Sequence, residues 1–320
     1  MTAQEARPGG EVEPLPLSQA IPLAAAAVQE AAAAAGVRAL VIKGVTAEVQ
    51  MLRPAGRPSD VDVLVAPGDV EPLLHTLRGQ GWVPRPDDNH LGIFPEHSVT
   101  VMHPQWPCDL DVHHRYPGLD AHDPKRAFDR LWSDHAEVDV AHWPVAAPSR
   151  VAHAVILALT SLREPWDRRA DGQLRFLVDE VLVTPELRDQ FIEVGLELNA
   201  GAALAPLLQD LCPDRDWSGL PAPDDDWLLY THSRESATLR LAGLAQARGF
   251  DRVRHLWEAL APSRTALASQ DLSVADAGLR SLWLARWRRL RRGVRAIPTV
   301  LEDYRRYRRL REGVVKGRLR

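Results

Sequence analysis

Two aspartates, Asp60 and Asp62, occupy alternate positions where the segment GRPSDVDVLV (56–65) enters an apolar run. On a β-strand, residues two apart point to the same face, so the two carboxylates would lie side by side. Carboxylates held this close repel each other unless a cation or a proton lies between them. A hard divalent cation such as Mg²⁺ binds one or two carboxylates together with substrate phosphates. The pair therefore predicts a metal site for phosphoryl or nucleotidyl transfer, although a solubilising pair of surface charges has the same pattern.

A second acidic strand is predicted in PCDLDVHHR (107–115). Asp109 and Asp111 alternate within it, and either one is a candidate third carboxylate beside the first pair. Three carboxylates on adjacent strands can hold two metal ions and activate an attacking hydroxyl. His113 lies two residues beyond Asp111 on the same predicted face, where it would either orient that carboxylate or simply pack within the strand.

A phosphate-binding junction is predicted upstream, in LVIKGVT (40–46). There an apolar strand ends at Lys43 and Gly44 and a helix begins, and the N–H groups at a helix N-terminus bind phosphate. Lys43 adds a positive charge, Thr46 adds a hydroxyl, and Arg57 adds a guanidinium ahead of the aspartate pair. An ordinary strand-to-helix turn with a solvated lysine and a solvated loop arginine would show the same residues.

The elements that would position these residues change in character near residue 148. Before it, short apolar strands alternate with helical segments; after it, segments of helical periodicity follow one another. We therefore predict an α+β domain over residues 17–147, followed by an all-helical domain over residues 148–320. Residues 1–16 are rich in Pro, Gly and Glu and are predicted to be disordered.

Composition excludes several classes of protein. The 320 residues carry a formal net charge of −4, so no overall basic field points to nucleic acid as a partner. The two cysteines, Cys108 and Cys212, make no disulfide framework and suit a reducing cytosol. The sequence has neither a recognisable signal peptide nor an apolar run of the roughly 18 residues that a membrane span requires. We predict a cytoplasmic protein with no membrane partner.

The order of these parts resembles the nucleotidyltransferase superfamily with the polymerase-β-like fold, and within it the bacterial branch of uncharacterised nucleotidyltransferases. The resemblance covers roughly residues 20 to 310 and includes a helix, LRFLVDEV (174–181). It departs in two places, since Val45 follows Gly44 where the superfamily usually has Ser, and His114 stands where the branch often has Trp. The matching motif residues are Lys43-Gly44, Arg57, Asp60-Val61-Asp62, His90 and Asp111-Val112-His113.

The resemblance implies a polymerase-β-like domain with a small mixed sheet that moves a nucleoside monophosphate from ATP or another NTP to an acceptor. The acceptor would be a small molecule, a peptide or a protein. The implied catalytic residues, which would bind Mg²⁺ or Mn²⁺, are Asp60, Asp62 and Asp111, with Asp109 as the alternative third carboxylate. The implied nucleotide-binding residues are Lys43, Gly44, Thr46 and Arg57, and the supporting residues are His90 and His113.

The acceptor is expected in the cleft between the two domains, with Arg175 and Asp179 as polar contacts or as an ordinary surface pair. Two other functions stay open on the sequence. One is a catalytically inactive, nucleotidyltransferase-like binding or regulatory protein, which the missing Ser favours. The other is an RNA-modifying nucleotidyltransferase, which the arginine-rich C-terminal segments favour; we interpret those segments first as a charged helical face.

Overall fold

A computed structural model of the protein describes residues 15–56, 58–85, 97–247, 249–250, 252–253 and 279–315. The predictions for residues 1–14, Arg57 and His90 lie outside these residues. In the described part of the chain the strands are β1 (Ala39–Ile42), β2 (Asp60–Val65), β3 (Val83–Pro84), β4 (Ser98–Met102), β5 (Asp109–His113), β6 (Ala136–Val140) and β7 (Trp143–Ala147).

Helices flank these strands and make up most of the chain after residue 148. A π-helical turn, Leu177–Val181, continues α6. In the described residues every helix is too short or too polar to cross a lipid bilayer. The helices are α1 (Leu17–Ala34), α2 (Gly44–Val49), α3 (Val70–Gly79), α4 (Pro124–Ser133), α5 (Arg150–Arg163), α6 (Arg168–Phe176), α7 (Pro185–Glu197), α8 (Gly201–Leu211), α9 (Asp225–Thr231), α10 (Ser236–Gln246) and α11 (Leu279–Val315).

Five strands form one mixed sheet in the order β1-β2-β5-β4-β3. β2 runs antiparallel to β1 and parallel to β5, and β4 is antiparallel to both β5 and β3. β6 and β7 form a separate hairpin. A mixed sheet followed by a mainly helical segment confirms the predicted α+β fold class.

The two faces of the sheet belong to two different cores. Val41 and Val63 pack on one side with α1 and α3. Leu40, Ile42 and Leu64 pack on the other side, in a core that continues through α4, α5, α7 and α8 to Trp227 of α9. The sheet and the helices after residue 148 therefore share one hydrophobic core.

Three segments differ in detail from what their sequence patterns predict. The segment 136–145 has the pattern of one strand, but it is a hairpin because Ala141 and His142 turn the chain with φ of 55° and 62°. Helical spacing across residues 224–249 predicts one helix, which is interrupted between α9 and α10, where Arg234 binds Asp303 of α11. The segment after residue 275 predicts two helices, whereas its described part is the single helix α11, which runs through Pro298.

Candidate active site

The register of two parallel strands brings the acidic residues together. Asp62 of β2 lies directly opposite Asp111 of β5, and Asp60 lies opposite Asp109. Because side chains alternate along a strand, all four project from the sheet face that also carries Leu64. One oxygen each of Asp62 and Asp111 and one ring nitrogen of His113 lie within 4.8 Å of one another, which is a spacing that suits a shared metal ion.

Asp62 is buried and carries two cationic or hydrogen-bonding partners on one oxygen. Lys43 Nζ lies 2.5 Å from its Oδ1, and His113 Nε2 lies 2.8 Å from the same atom. Burial alone would raise the pKa of Asp62, but Lys43 and His113 lower it to about 2. The site therefore holds a carboxylate that stays ionised although it is almost out of contact with water.

His113 was predicted either to orient Asp111 or to pack within the strand, and the structure shows a different partner. Its ring reaches across to Asp62 on the neighbouring strand, whereas Asp111 accepts a hydrogen bond of 2.5 Å from Thr100 Oγ1 on β4. Residue spacing along β5 favoured Asp111 as the partner of His113. The parallel β2–β5 pairing instead places His113 beside Leu64, two residues after Asp62 and on the same face. The other ring nitrogen, Nδ1, is buried without a partner among the described residues.

The two candidates for the third carboxylate lie in different surroundings. Asp109 forms an ion pair with Arg85 at 3.1 Å, and Asp111 belongs to the cluster with Asp62. Burial, and then the charges of Asp62 and Asp111, raise the pKa of Asp60. The geometry thus favours Asp111 over Asp109 as the third carboxylate, with Asp60 at the edge of the cluster.

The Lys43 backbone has an unusual conformation, with φ of 59° and ψ of −148°. This region is almost restricted to glycine and costs on the order of 1–3 kcal/mol for other residues. The Lys43 N–H donates to Nε2 of His153 at 2.7 Å, and the opposite ring nitrogen bonds Gln50 Oε1 at 2.7 Å. His153 is fully buried, and burial lowers its pKa to about 3, so it is a neutral acceptor.

The contact with His153 was not predicted from the sequence. The residue comes from α5, 110 positions after Lys43, and its apolar neighbours indicate burial but no particular partner. Thr46, predicted to contact a triphosphate, is also buried, and its hydroxyl bonds the carbonyls of Val41 and Lys43 at 3.0 Å each. These bonds give Thr46 a part in shaping the junction and offer no support for a nucleotide contact. Gly44 begins α2 with φ of 35°.

Aromatic and cationic side chains, some of them from α5 and α9, lie near the cluster. Lys43 Nζ lies 5.7 Å from the centre of the Tyr116 ring, and Arg163 of α5 lies over the Tyr230 ring of α9 at 5.8 Å. His97 lies between Tyr230 and His113, with ring centres 6.0 and 5.7 Å away. Tyr116, Arg163 and Tyr230 were not among the predicted site residues, because only tertiary packing brings them to the carboxylates.

The two residues predicted either to contact the acceptor or to form a surface pair are both exposed. Arg175 is exposed and pairs with Asp171, one turn earlier in α6, at 3.0 Å. Asp179 is also exposed. The structure thus offers Arg163 and Tyr230, rather than Arg175 and Asp179, as polar groups of the helical side that lie near Lys43 and His113.

More than half of the chain matches a known protein family. Residues 19–197 match the family model described as "Uncharacterised nucleotidyltransferase". Among solved structures, the solution structure of the antibiotic-resistance factor ANT(2'')-Ia is 12% identical, with a TM-score of 0.32, over 72% of this chain and 97% of that chain. The crystal structure of an antigenic nucleotidyltransferase-like protein from Paracoccidioides brasiliensis is 11% identical, with a TM-score of 0.34, over 62% and 95%. No curated protein matches the chain.

Proposed function

This chain belongs to the uncharacterised nucleotidyltransferase family, and from that premise we propose that it is a metal-dependent enzyme that transfers a nucleoside monophosphate from an NTP to an acceptor. The observation that carries the proposal is the cluster of Asp62, Asp111 and His113 beside Lys43. In the reaction an acceptor atom bonds to the α-phosphorus, the bond to the bridging oxygen of the β-phosphate breaks, and pyrophosphate leaves.

The donor set fits a hard divalent cation. Asp62 and Asp111 on adjacent strands, together with the nearby Asp60, supply the oxygen ligands that Mg²⁺ and Mn²⁺ prefer. Asp62 and Asp111 would hold the ion, and His113 would fix the orientation of Asp62 through its bond of 2.8 Å. When bound, the ion would neutralise charge on the phosphates and lower the pKa of the attacking group.

Lys43 is the residue best placed to bind the triphosphate. Its ammonium now bonds Asp62, and its backbone is held by His153, so its side chain starts from a fixed position at the cluster. Burial opposes its charge, but Tyr116 and Asp62 outweigh burial and raise the pKa of Lys43. A permanently charged lysine at this position supports a role in holding phosphate oxygens.

The acceptor site would lie between the sheet and the wall formed by α5 and α9. Arg163 and Tyr230 offer a cation, an aromatic surface and a hydroxyl there. Such convergent polar groups in a cleft are typical of small-molecule sites. We therefore place the recognition of the acceptor on these helices, and the handling of the triphosphate on β1, β2 and β5.

The proposal is tested by incubating the full chain with each of the four NTPs and Mg²⁺ or Mn²⁺, in the presence of a cell extract as the source of acceptors. We expect pyrophosphate release and the mass of one nucleoside monophosphate on an acceptor or on the protein, both abolished by a chelator. Metal-dependent NTP binding by calorimetry without any transfer would instead support the inactive binding protein. An NTP affinity that is the same with and without the divalent metal would argue against the metal site.

A further inference from the structure

The first half of α11 presents a row of apolar side chains to solvent. The spacing alternates between four residues and three, and all members are between 38% and 65% exposed. At 3.6 residues per turn, this row covers roughly 80° of the helix circumference and runs along one side. Its members, called here the apolar row, are Trp283, Trp287, Leu290, Val294, Ile297 and Leu301.

The same part of the helix is strongly basic. Residues 279–301 contain seven arginines and no acidic residue. Arg286 and Arg291 are exposed on either side of the apolar row, roughly 60° and 80° from its centre. Arg291 lies over the ring of Trp287 at 5.8 Å. Arg288, Arg292 and Arg295 are exposed on the opposite side of the helix, roughly 120–180° from the row. The first acidic residue of α11 is Glu302, so residues 279–301 contribute only positive charge.

The second half of α11 anchors the helix to the body of the protein. Val300, Asp303 and Tyr307 are buried there. Arg234, in the turn between α9 and α10, binds Asp303 through its backbone N–H at 3.0 Å and through its guanidinium at 2.6 Å. The apolar row is thus a surface of a helix that is held in place.

We propose that the first half of α11 is a docking surface for an anionic lipid bilayer, on which the helix lies in the plane of the interface. Apolar side chains would enter the region between headgroups and acyl chains, with Trp283 and Trp287 at the depth that tryptophan prefers. Arg286 and Arg291, at the edges of the apolar row, would extend their guanidinium groups to lipid phosphates. The prediction of no membrane partner rested on the lack of an apolar segment long enough to cross a bilayer. A helix that lies in the interface does not need such a segment.

Two other occupants fit the surface less well. A second copy of the chain would bring two arginine-rich rows together without any acidic partner, although the 4-3 spacing is that of a coiled coil. A nucleic acid would satisfy the arginines through its phosphates but would leave the apolar row in water. An anionic bilayer is the partner that satisfies both features.

The first test measures co-sedimentation of the full chain with vesicles of phosphatidylcholine alone and of phosphatidylcholine with a quarter phosphatidylglycerol. We expect binding to the anionic vesicles only, weakened but not abolished by raised salt because apolar burial remains. The double variant Trp283→Ser/Trp287→Ser should bind at least about tenfold more weakly. Trp143→Ser is the matched control, since Trp143 is 46% exposed in the hairpin β6–β7, and it should bind like the wild type.

The second test removes charge and separates the occupants. Arg286→Gln/Arg291→Gln, at the two edges of the apolar row, should also bind anionic vesicles at least about tenfold more weakly, while Arg175→Gln on α6 should not change binding. Equal binding to both kinds of vesicle, or no binding to either, overturns the proposal. It is also overturned if an oligonucleotide binds and only the arginine variant loses it, or if the tryptophan variant abolishes a dimer in sedimentation velocity.

Discussion

At the scale of single residues, Lys43 and His153 explain how the site is held. A lysine in a backbone conformation suited to glycine stays there because its N–H has an acceptor of 2.7 Å in His153. Loss of that acceptor would leave a partly buried N–H unpaired, at a cost of about 1–3 kcal/mol. The ring of His153 thus ties the helical part of the chain to the residue that binds Asp62.

The choice between Asp111 and Asp109 gives the first prediction. Asp111→Asn should lower nucleotidyl transfer by on the order of a hundredfold or more, because a metal-binding carboxylate is lost. Asp109→Asn is the matched control on the same strand and face, and it removes only the ion pair with Arg85. The rate of pyrophosphate release is measured for both variants. A larger loss of rate in the Asp109 variant than in the Asp111 variant would reverse the assignment.

The second prediction concerns pH. The unfolded chain takes up a proton on His153 below about pH 6.5, whereas the pKa of this residue in the folded protein is about 3. Its stabilising contribution is therefore complete above pH 6.5 and is lost as the pH falls towards 3, at about 1.4 kcal/mol per pH unit. His97, whose pKa burial lowers to about 3, adds to the same slope.

The variant His153→Gln keeps an acceptor for Lys43 but does not titrate. The free energy of unfolding in urea, measured at pH 7, 6 and 5, should fall less steeply in this variant, by about 1 kcal/mol per pH unit between pH 6 and 5. His75→Gln, at an exposed histidine of α3, serves as the control. An equal loss of slope in both variants would contradict the assignment.

At the scale of elements, the sequence predicts most strands and helices because their apolar periodicities are strong. It does not predict partners across the sheet. Asp109 and Asp111 alternate identically along β5, and only the register of β5 against β2 separates the residue beside Asp62 from the residue beside Asp60. The covering residues Arg163 and Tyr230 lay beyond sequence reasoning, since no local pattern says which helix crosses a sheet.

The third prediction tests the close packing of Trp227 of α9 against Gly118. Gly118 has φ of 89°, and a Cβ there would lie 2.7 Å from Trp227 Cζ3 and 2.8 Å from Leu159 Cδ2. Gly118→Ala should therefore destabilise the protein by about 2–3 kcal/mol. Gly172→Ala, inside α6 with open space around it, should instead stabilise by up to about 1 kcal/mol. Chemical denaturation measures both, and a neutral Gly118 variant would show that α9 does not pack closely there.

At the scale of the whole molecule, the boundary predicted at residues 147 and 148 is not a boundary of the core. Leu40, Ile42 and Leu64 of the sheet pack in one cluster with α5, α7 and α8. The matched family region, residues 19–197, also runs across this position. The domain limits from the sequence remain a useful description of secondary-structure content, and the packing joins the two parts.

The fourth prediction follows for a chain truncated after Pro148. Exposure of three large side chains of the sheet would cost about 5–9 kcal/mol, which is comparable to the whole stability of an ordinary domain. We expect no cooperative urea transition and a flat near-ultraviolet circular dichroism spectrum. The full chain measured in parallel is the control. A truncated chain that unfolds cooperatively and binds an NTP would show that the helices are dispensable for folding.

The shared core also has a consequence for synthesis of the chain on the ribosome. The partners of the site are far apart in sequence. His113 follows its partner Asp62 by 51 residues, and His153 follows its partner Lys43 by 110 residues. Contacts of such sequence separation slow folding, because long loops must close before any contact forms. Until α5 has left the exit tunnel, Leu40, Ile42 and Leu64 lack the helices after residue 148 as packing partners. The nascent chain therefore exposes part of an apolar sheet face, which chaperones recognise and which favours aggregation.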